Sequence, residues 1–249
     1  MRSPMSDPSG SNLTILSLDT CGSCGSVALA RFQGAANALE ILGKSDLPGR
    51  SYSAQLIPRI EELLAGQHAA IRDIHALAVV RGPGSFTGIR VGLSAAKGLA
   101  EALGVGIVAV SRLAVLASVS GLPHVLAAIE AGRGEYYVGE YRNGQNLREV
   151  LLSRAEVCAA AHEPGAGVLV FEAGSTGAAG QQDSPIAPVY VRTPDAADAL
   201  RLALDRLRAG SFEDLETLDA NYLRRSNAEL FGAAGTGIKG SAGATSNLP

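Results

Sequence analysis

The sequence is poor in the residues on which nucleic-acid-binding, disulfide-bonded and membrane-spanning proteins depend. Its 249 residues include no tryptophan and only 4% aromatic residues, and the net charge is −3. Such a chain offers neither a cationic track nor stacking platforms, so we expect it not to bind nucleic acid tightly by itself. Three cysteines, an odd number, favour a reduced cytoplasmic protein over a disulfide framework. No membrane span is predicted, because the sequence has no uninterrupted apolar run of about 18 residues.

Motifs that would mark a catalytic or metal site are also scarce. The four histidines form no His-Glu-x-x-His or other paired spacing. Cys21 and Cys24 form a Cys-x-x-Cys, a spacing found in zinc and redox sites. Zinc needs two further ligands, however, and only Cys158 and scattered histidines remain. We therefore interpret the pair as two small residues of a turn, and we predict neither a catalytic residue nor a metal site.

Glycine, by contrast, is abundant, above all in the stretch RGPGSFTGIRVG at residues 81–92. The stretch is not a P-loop, because no Lys-Ser or Lys-Thr pair follows, and it matches only two of the three glycines of a dinucleotide fingerprint. Ser85 lacks the Gly-x-Ser-x-Gly context of an esterase nucleophile. A structural role is favoured: Gly82 and Gly84 permit positive φ, Pro83 stiffens the bend, and Ser85 or Thr87 can cap a following helix. Anion binding remains the alternative, since helix N-termini attract anions without any motif.

Apolar patterning predicts an α/β protein whose two halves resemble each other. Strands are expected at 13–18, 27–32, 38–42, 76–80 and 105–110, and helices across 56–64 and 87–103. The second half predicts strands at 125–129, 136–141, 147–152 and 168–171, and a helix near 195–208. A strand–helix–strand order implies parallel pairing. Pro58 inside the first helix predicts a kink or a restart there.

The two halves share one order of elements: strand, acidic residue, glycine turn, strand, strand. The second copy follows about 110 residues after the first. Two βββαβα units are the layout of the actin, sugar kinase and Hsp70 ATPase group, so the predicted fold is actin-like (ASKHA). The predicted subdomains are 13–110 and 111–231, and residues 1–12 and 232–249 are predicted to be disordered.

Asp19 and Glu130 close equivalent strands of the two predicted copies. An ATPase of this fold would place magnesium-handling acids there, which makes both residues weak candidates for cofactor binding. Alternatively, they cap glycine-rich turns with solvated charge. The sequence alone leaves both interpretations open.

Several segments resemble the TsaB (YeaZ) family. They are ILSLDT at 15–20, GPGSFTGIRVG at 82–92, AIEA at 128–131, GEYY at 134–137 and YLR at 222–224. The resemblance extends from about residue 13 to 231. Cys21 stands where Ser is usual in the family, Glu130 where Asp is usual, and Ala220 where a Pro usually precedes Tyr-Leu-Arg. These departures bear on a nucleotide site more than on the family.

The resemblance implies a role in making threonylcarbamoyladenosine at position 37 of ANN-decoding tRNAs. In that pathway the family does not catalyse; it supports the related catalytic subunit TsaD, with the ATPase TsaE as third member. A homodimer is a further possibility, tRNA would be met only through the complex, and ATP and metal are expected in the partners rather than here. The rival functions are an ATPase or small-molecule kinase of the same fold and an M22 glycoprotease-like metallopeptidase.

The catalytic relative carries a metal-binding His-x-x-x-His just after the strand that follows the glycine-turn helix. Arg112 and Leu116 align with those two histidines. Because a cation and an alkyl chain cannot hold a metal, the resemblance implies that this chain is not an enzyme.

The helix predicted at 87–103 has too wide an apolar arc for a helix that lies on a sheet and otherwise faces water. Its polar residues fall in one stripe, and the candidates for a partner interface are Ile89, Val91, Gly92, Leu93, Ala95, Ala96 and Leu99. One flank holds Val91, Ala95 and Ala102, and the other holds Ile89, Leu93 and Ala100. The pattern does not decide which flank is free; the resemblance implies that a second molecule covers it.

Overall fold

Two five-stranded sheets form the framework of the protein. The computed structural model describes residues 12–49, 51–175 and 187–223. The first half contains β1 (Asn12–Asp19), β2 (Cys24–Gln33), β3 (Ala38–Pro48), α1 (Tyr52–Gly66), a short 3₁₀ helix (Ile71–Asp73), β4 (Ala76–Val80), α2 (Phe86–Leu103) and β5 (Gly106–Val110). The second contains α3 (Arg112–Ser120), β6 (His124–Gly132), β7 (Glu135–Arg142), β8 (Gln145–Ser153), α4 (Arg154–His162), β9 (Val168–Glu172), β10 (Val189–Val191) and α5 (Ala196–Arg208).

The two sheets have the same strand order. The first is ordered β3-β2-β1-β4-β5 and the second β8-β7-β6-β9-β10. In each, the three hairpin-connected strands pair antiparallel. The fourth strand pairs parallel to the central strand, β1 or β6, and the fifth pairs parallel to the fourth. Each parallel pair needs a crossover between its strands, whereas the antiparallel pairs need only a turn. The repeated order confirms the predicted duplication and the actin-like fold class.

Most predicted elements are present, and the differences have local causes. β3 extends to Pro48, well beyond the predicted end, because its second half alternates exposed polar residues such as Lys44 and Asp46 with buried Leu47. α4 was not predicted: it is rich in alanine, buries only Val157 and Ala160, and begins with a capping box between Ser153 and Glu156. β10 has only three residues and was not predicted.

α1 is one continuous helix through Pro58, so the predicted restart does not occur. Leu56, Ile60 and Leu64 are buried in the first core and hold the helix across the missing backbone donor. Leu63, predicted on the same face, is only partly buried.

The last helix of the second half packs on the first half's sheet, whereas α3 packs on the sheet of its own half. α3 lies on the second sheet, where Leu113 and Leu116 pack with Val125 and Tyr141. α5, expected to complete the second copy, instead covers the first sheet with an apolar face of Ala199, Leu200, Ala203 and Leu207. An amphipathic pattern shows that one face of a helix is buried, but not which sheet buries it.

Some sequence predictions fall outside the described part of the chain. The tail at 232–249 lies there, as do residues 1–11 of the predicted N-terminal segment and Arg224 of the Tyr-Leu-Arg motif. Within the described ranges, none of the helices is both long and apolar enough to cross a membrane.

Candidate functional site: the cleft between the two lobes

The glycine turn brings α2 against the end of β1. Ser85 is the N-cap of α2: its hydroxyl accepts a hydrogen bond from the Gly88 N–H (3.2 Å), while its own N–H donates to the Cys21 carbonyl (2.8 Å). A Cβ at Gly84 would lie 2.3 Å from the Cys21 carbonyl oxygen, and one at Gly88 would lie 2.0 Å from that of Thr20. The Thr20 hydroxyl donates to the Gly88 carbonyl at 2.7 Å. The glycines therefore permit close packing of α2 against β1. The positive φ predicted at Gly82 and Gly84 and the predicted cap at Ser85 are both present.

Four of the predicted interface residues pack against the end of β1 or lie in the first core. Ile89, Leu93 and Ala96 are buried in the first core, and a Cβ at Gly92 would lie 2.3 Å from the Thr20 hydroxyl oxygen. The protein's own strands thus cover one flank of α2. The flank that stays partly accessible contains Val91, Ala95 and Leu99, with Ala102 exposed.

A cleft with a volume of about 1010 Å³ lies between the two lobes, each of which is built on one of the two sheets. Its lining is both polar and apolar, and its walls include the β1–β2 turn, the starts of α1 and α2, and the ends of β6 and β9. The carboxyl ends of central strands meet here, where open α/β sheets place ligands. The sequence predicted two of these strand ends, those near Asp19 and Glu130.

Asp19 lies beneath the cleft and is 3% exposed. Its carboxylate accepts a hydrogen bond from the Cys21 N–H at 2.9 Å and so caps the β1–β2 turn. Burial raises the pKa of Asp19 above its ordinary value, and the nearby charge of Arg112 acts in the opposite direction. The carboxylate is buried against a guanidinium, so it is neither the solvated cap nor an open magnesium ligand.

Arg112, the first residue of α3, connects the two lobes. It is 4% exposed, and its guanidinium donates to the Glu172 carboxylate at the end of β9 (2.8 Å). Burial opposes its charge, but Asp19 and Glu172 together hold the pKa of Arg112 above its ordinary value. A Cβ at Gly22 would lie 2.6 Å from one of its terminal nitrogens, so the turn needs glycine to admit this side chain.

Glu130 differs from Asp19 in position and in surroundings. Asp19 is the last residue of β1, but β6 extends to Gly132, so Glu130 does not close its strand as predicted. It is exposed and lines the cleft. The structure thus brings both predicted acids to one cleft but gives them different surroundings, one buried beside Arg112 and the other open to solvent.

The Cys-x-x-Cys does not form a metal site with its neighbours. The buried Cys21 thiol donates to the Val80 carbonyl at 3.2 Å, and burial raises its pKa well above the ordinary value. Cys24 is exposed and points to the Leu47 carbonyl, 3.5 Å away. Across residues 12–49, 51–175 and 187–223, no group of three or more His, Cys, Asp or Glu side chains could hold a metal ion.

Two residues of the cleft, Glu172 and Tyr52, were not predicted from the sequence. Glu172 closes β9 as Asp19 closes β1, so the same strand–acid signal could have found it. The Tyr52 hydroxyl donates to the Gly22 carbonyl at 2.8 Å, and burial, with a contribution from Asp19, raises the pKa of Tyr52 to about 12. Tyr52 is a single residue at the start of α1, and no motif or spacing in the sequence identified it.

Two lobes of equal strand order around a shared cleft define a protein of the actin-like class. The family model for TsaD, tRNA N6-adenosine threonylcarbamoyltransferase, matches residues 46–169. A crystal structure of YeaZ from Pseudomonas aeruginosa is 30% identical, with a TM-score of 0.69, and the match covers 85% of this chain and 100% of that one. A second crystal structure, of a protein from the same organism with similarity to peptidase YeaZ, is 31% identical with a TM-score of 0.70 and the same coverage.

Curated relatives agree with the structural matches. The tRNA threonylcarbamoyladenosine biosynthesis protein TsaB of Escherichia coli is 37% identical over 138 residues, and that of Haemophilus influenzae is 36% identical over 133 residues. These matches cover 54% and 52% of this chain and 57% and 54% of the relatives, so the chain spans little more than half of their length. The chain belongs to the TsaB (YeaZ) family, as the sequence motifs predicted.

Proposed function

We propose that this chain is a non-catalytic scaffold subunit of tRNA threonylcarbamoyladenosine biosynthesis. In this proposal it supports TsaD, with the ATPase TsaE as third member, in the modification of adenosine 37. The names of the curated TsaB relatives support the pathway. We further propose that the protein acts in the cytoplasm, holds no cofactor of its own, and meets tRNA only within the complex.

The position of Arg112 and Leu116 carries the non-catalytic part of the proposal. Both align with the metal-binding histidines of the catalytic relative, and both are engaged elsewhere. Arg112 is ion-paired with Glu172, and Leu116 is fully buried in the core between α3 and the second sheet. A guanidinium and an alkyl side chain offer no lone pair to a metal.

The outer face of α2 supports the scaffold part of the proposal. Its accessible flank combines half-buried Val91 and Ala95 with small exposed residues such as Gly98 and Ala102. Small side chains let the helix of a second molecule approach closely. We propose that TsaD covers this flank; a second copy of the chain is the other candidate.

Two substitutions on opposite flanks of α2 test the scaffold function. Ala95→Asp should leave the protein folded but weaken its binding to TsaD by about a hundredfold, because the interface would bury an unpaired carboxylate. Leu93→Asp should instead damage folding, because Leu93 is only 6% exposed within the protein's own core. Titration calorimetry with purified TsaD measures the affinity, and circular dichroism reports folding.

Ala159→Asp provides a matched control, because Ala159 is an exposed alanine inside α4 of the other lobe. It should bind TsaD as the wild type does. If Ala95→Asp is folded and binds TsaD normally, the interface lies elsewhere. If the wild-type protein does not bind TsaD at all, the scaffold proposal itself is wrong.

A nucleotide-binding ATPase or kinase is the alternative that the size of the cleft favours. Its volume of about 1010 Å³ and the exposed Glu130 are compatible with a ligand. Against it stands Asp19, whose carboxylate is already committed to Cys21 and to the charge of Arg112. Titration with Mg²⁺-ATP distinguishes the functions: the alternative requires saturable binding and hydrolysis by the chain alone, both lost in Asp19→Ala.

A further inference from the structure

An exposed cluster of two aromatic rings and one arginine lies at the start of α2. Phe86 is 53% exposed and Tyr222 is 40% exposed, and their ring centroids are 5.7 Å apart. The guanidinium carbon of Arg90 lies 3.8 Å from the centre of the Phe86 ring, and its Nε donates to the Tyr222 hydroxyl at 3.0 Å. We call these three residues the aromatic–arginine cluster.

The chain segment after α5 fixes Tyr222 in this position. The Asn221 N–H donates to the Arg81 carbonyl at 2.8 Å, which ties the segment to the end of β4. Leu218 is buried in the first core, and its carbonyl accepts a hydrogen bond from Lys97 of α2 at 3.1 Å. The cluster is therefore held from both sides, by α2 and by the segment that returns to it.

Arg90 has binding capacity left over. Its guanidinium is stacked on Phe86 and fixed through Nε, while its two terminal nitrogens have no hydrogen-bond or ion-pair partner in the described part of the chain. Arg192, Arg206 and Arg208, by contrast, each pair with a carboxylate of this chain. A stacked arginine with both terminal nitrogens outward is arranged to take an oxyanion in bidentate fashion.

We propose that the aromatic–arginine cluster is an anchor site for a carboxylate side chain on the protein partner that covers α2. The inference rests on the proposed function, because it places the anchor on the same helix as the partner flank: Arg90 precedes Val91, and Phe86 begins the helix. Arginine and exposed aromatic residues are the types that carry most of the energy at protein interfaces.

A protein carboxylate fits the surroundings better than an RNA phosphate. RNA binding draws on several cations that together neutralise phosphates, and the net charge of this chain is −3. Lys97, the other cation on this side of α2, uses its ammonium group on the Leu218 carbonyl. One guanidinium that is stacked on the Phe86 ring and fixed by the Tyr222 hydroxyl matches a single carboxylate.

Substitutions within the cluster test the anchor by titration calorimetry of the full chain with purified TsaD. Arg90→Gln should raise the dissociation constant about ten- to hundredfold, and Arg90→Lys should recover little of this, because an ammonium cannot bind in bidentate fashion. Phe86→Ala should weaken binding about tenfold by releasing the guanidinium. Raising the salt concentration should weaken the wild-type complex more than the Arg90→Gln complex.

Arg208→Lys is the matched control, because Arg208 also lies over a phenylalanine ring, that of Phe32, at 5.5 Å on the α5 side of the first lobe. It should leave the affinity for TsaD unchanged. Circular dichroism melts should show that every variant is folded.

The outcomes separate this inference from the proposed function. If the wild type binds TsaD and Arg90→Gln binds equally well, the anchor is wrong and the scaffold function stands. If the wild type does not bind TsaD, both fall together. If Arg90→Gln leaves TsaD binding intact but abolishes tRNA retention by the assembled proteins in a filter assay, the cluster binds RNA and the carboxylate anchor is overturned.

Discussion

Arg112 is the residue on which the interior of the cleft depends. Its charge lies between Asp19 of the first lobe and Glu172 of the second, and Gly22 leaves room for it. Removing one member of a buried ion pair leaves an uncompensated charge, which costs far more than the pair itself contributes. The residue that aligns with a metal ligand in the catalytic relative is thus a fixed cation here.

Replacing Arg112 should therefore destabilise the protein in a pH-dependent way. We expect Arg112→Ala to lower the free energy of unfolding by about 3 kcal/mol at neutral pH. Burial already raises the pKa of Asp19 above 3.8, and losing Arg112 removes an influence that lowers it. Because ionised Asp19 then disfavours the folded state, the loss should be smallest at acidic pH and should grow as pH rises through the folded-state pKa.

Urea unfolding of the wild type and of Arg112→Ala, from acidic to neutral pH, measures the effect. Arg208→Ala serves as the control, because Arg208 pairs with Asp205 at the surface, where such a contact is worth about 0–1 kcal/mol. A loss for Arg112→Ala that matches the control, or that does not change with pH, would contradict the role assigned to Arg112.

At the scale of the element, α2 shows how far the sequence predicts structure. Helical periodicity predicted a helix whose apolar arc is too wide for a helix that faces water, and the predicted bounds and Ser85 cap are close to those observed. The periodicity could not show which flank is buried, because that depends on contacts with Thr20 and the sheet, which lie far away along the chain. α5 illustrates the same limit, since its amphipathic pattern did not reveal that it covers the first sheet. The Arg112–Glu172 pair escaped prediction because the two residues lie 60 positions apart in the chain and nothing in the sequence links them.

Two glycines of α2 provide a paired test of this packing. Gly88→Ala should lower the free energy of unfolding by about 1–3 kcal/mol, because its Cβ would lie 2.0 Å from the Thr20 carbonyl oxygen. Gly98→Ala should raise it by about 0.5–1 kcal/mol, because its Cβ would meet nothing within 4 Å and alanine favours a helix. Chemical denaturation distinguishes the two, and equal effects would show that helix propensity, not packing, governs both positions.

At the scale of the whole molecule, two lobes share one cleft that contains acidic residues and Arg112, which is already ion-paired. We expect the purified chain alone to form no threonylcarbamoyladenosine and to hold no stoichiometric metal, because Arg112 and Leu116 align with the metal-binding histidines of the catalytic relative. Nucleoside analysis of modified tRNA and elemental analysis by mass spectrometry check the two parts. One tightly bound zinc or iron per chain would overturn the expectation.

The overall charge leads to a separate expectation about tRNA. With a net charge of −3, the chain should show negligible tRNA binding alone at physiological salt, and binding should appear only when partners are added. Filter binding with labelled tRNA measures this directly. A dissociation constant in the micromolar range or tighter for the chain by itself would be incompatible with it.

The packing of α5 on the sheet of the first lobe has a consequence for synthesis on the ribosome. When β5 has emerged, all strands of the first sheet exist, yet the helix that will cover one face of that sheet is α5, close to the end of the described chain. Until then an apolar sheet surface stays exposed. Surfaces of this kind bind chaperones or lead to aggregation. The first lobe is begun first but cannot be finished before the second has been made.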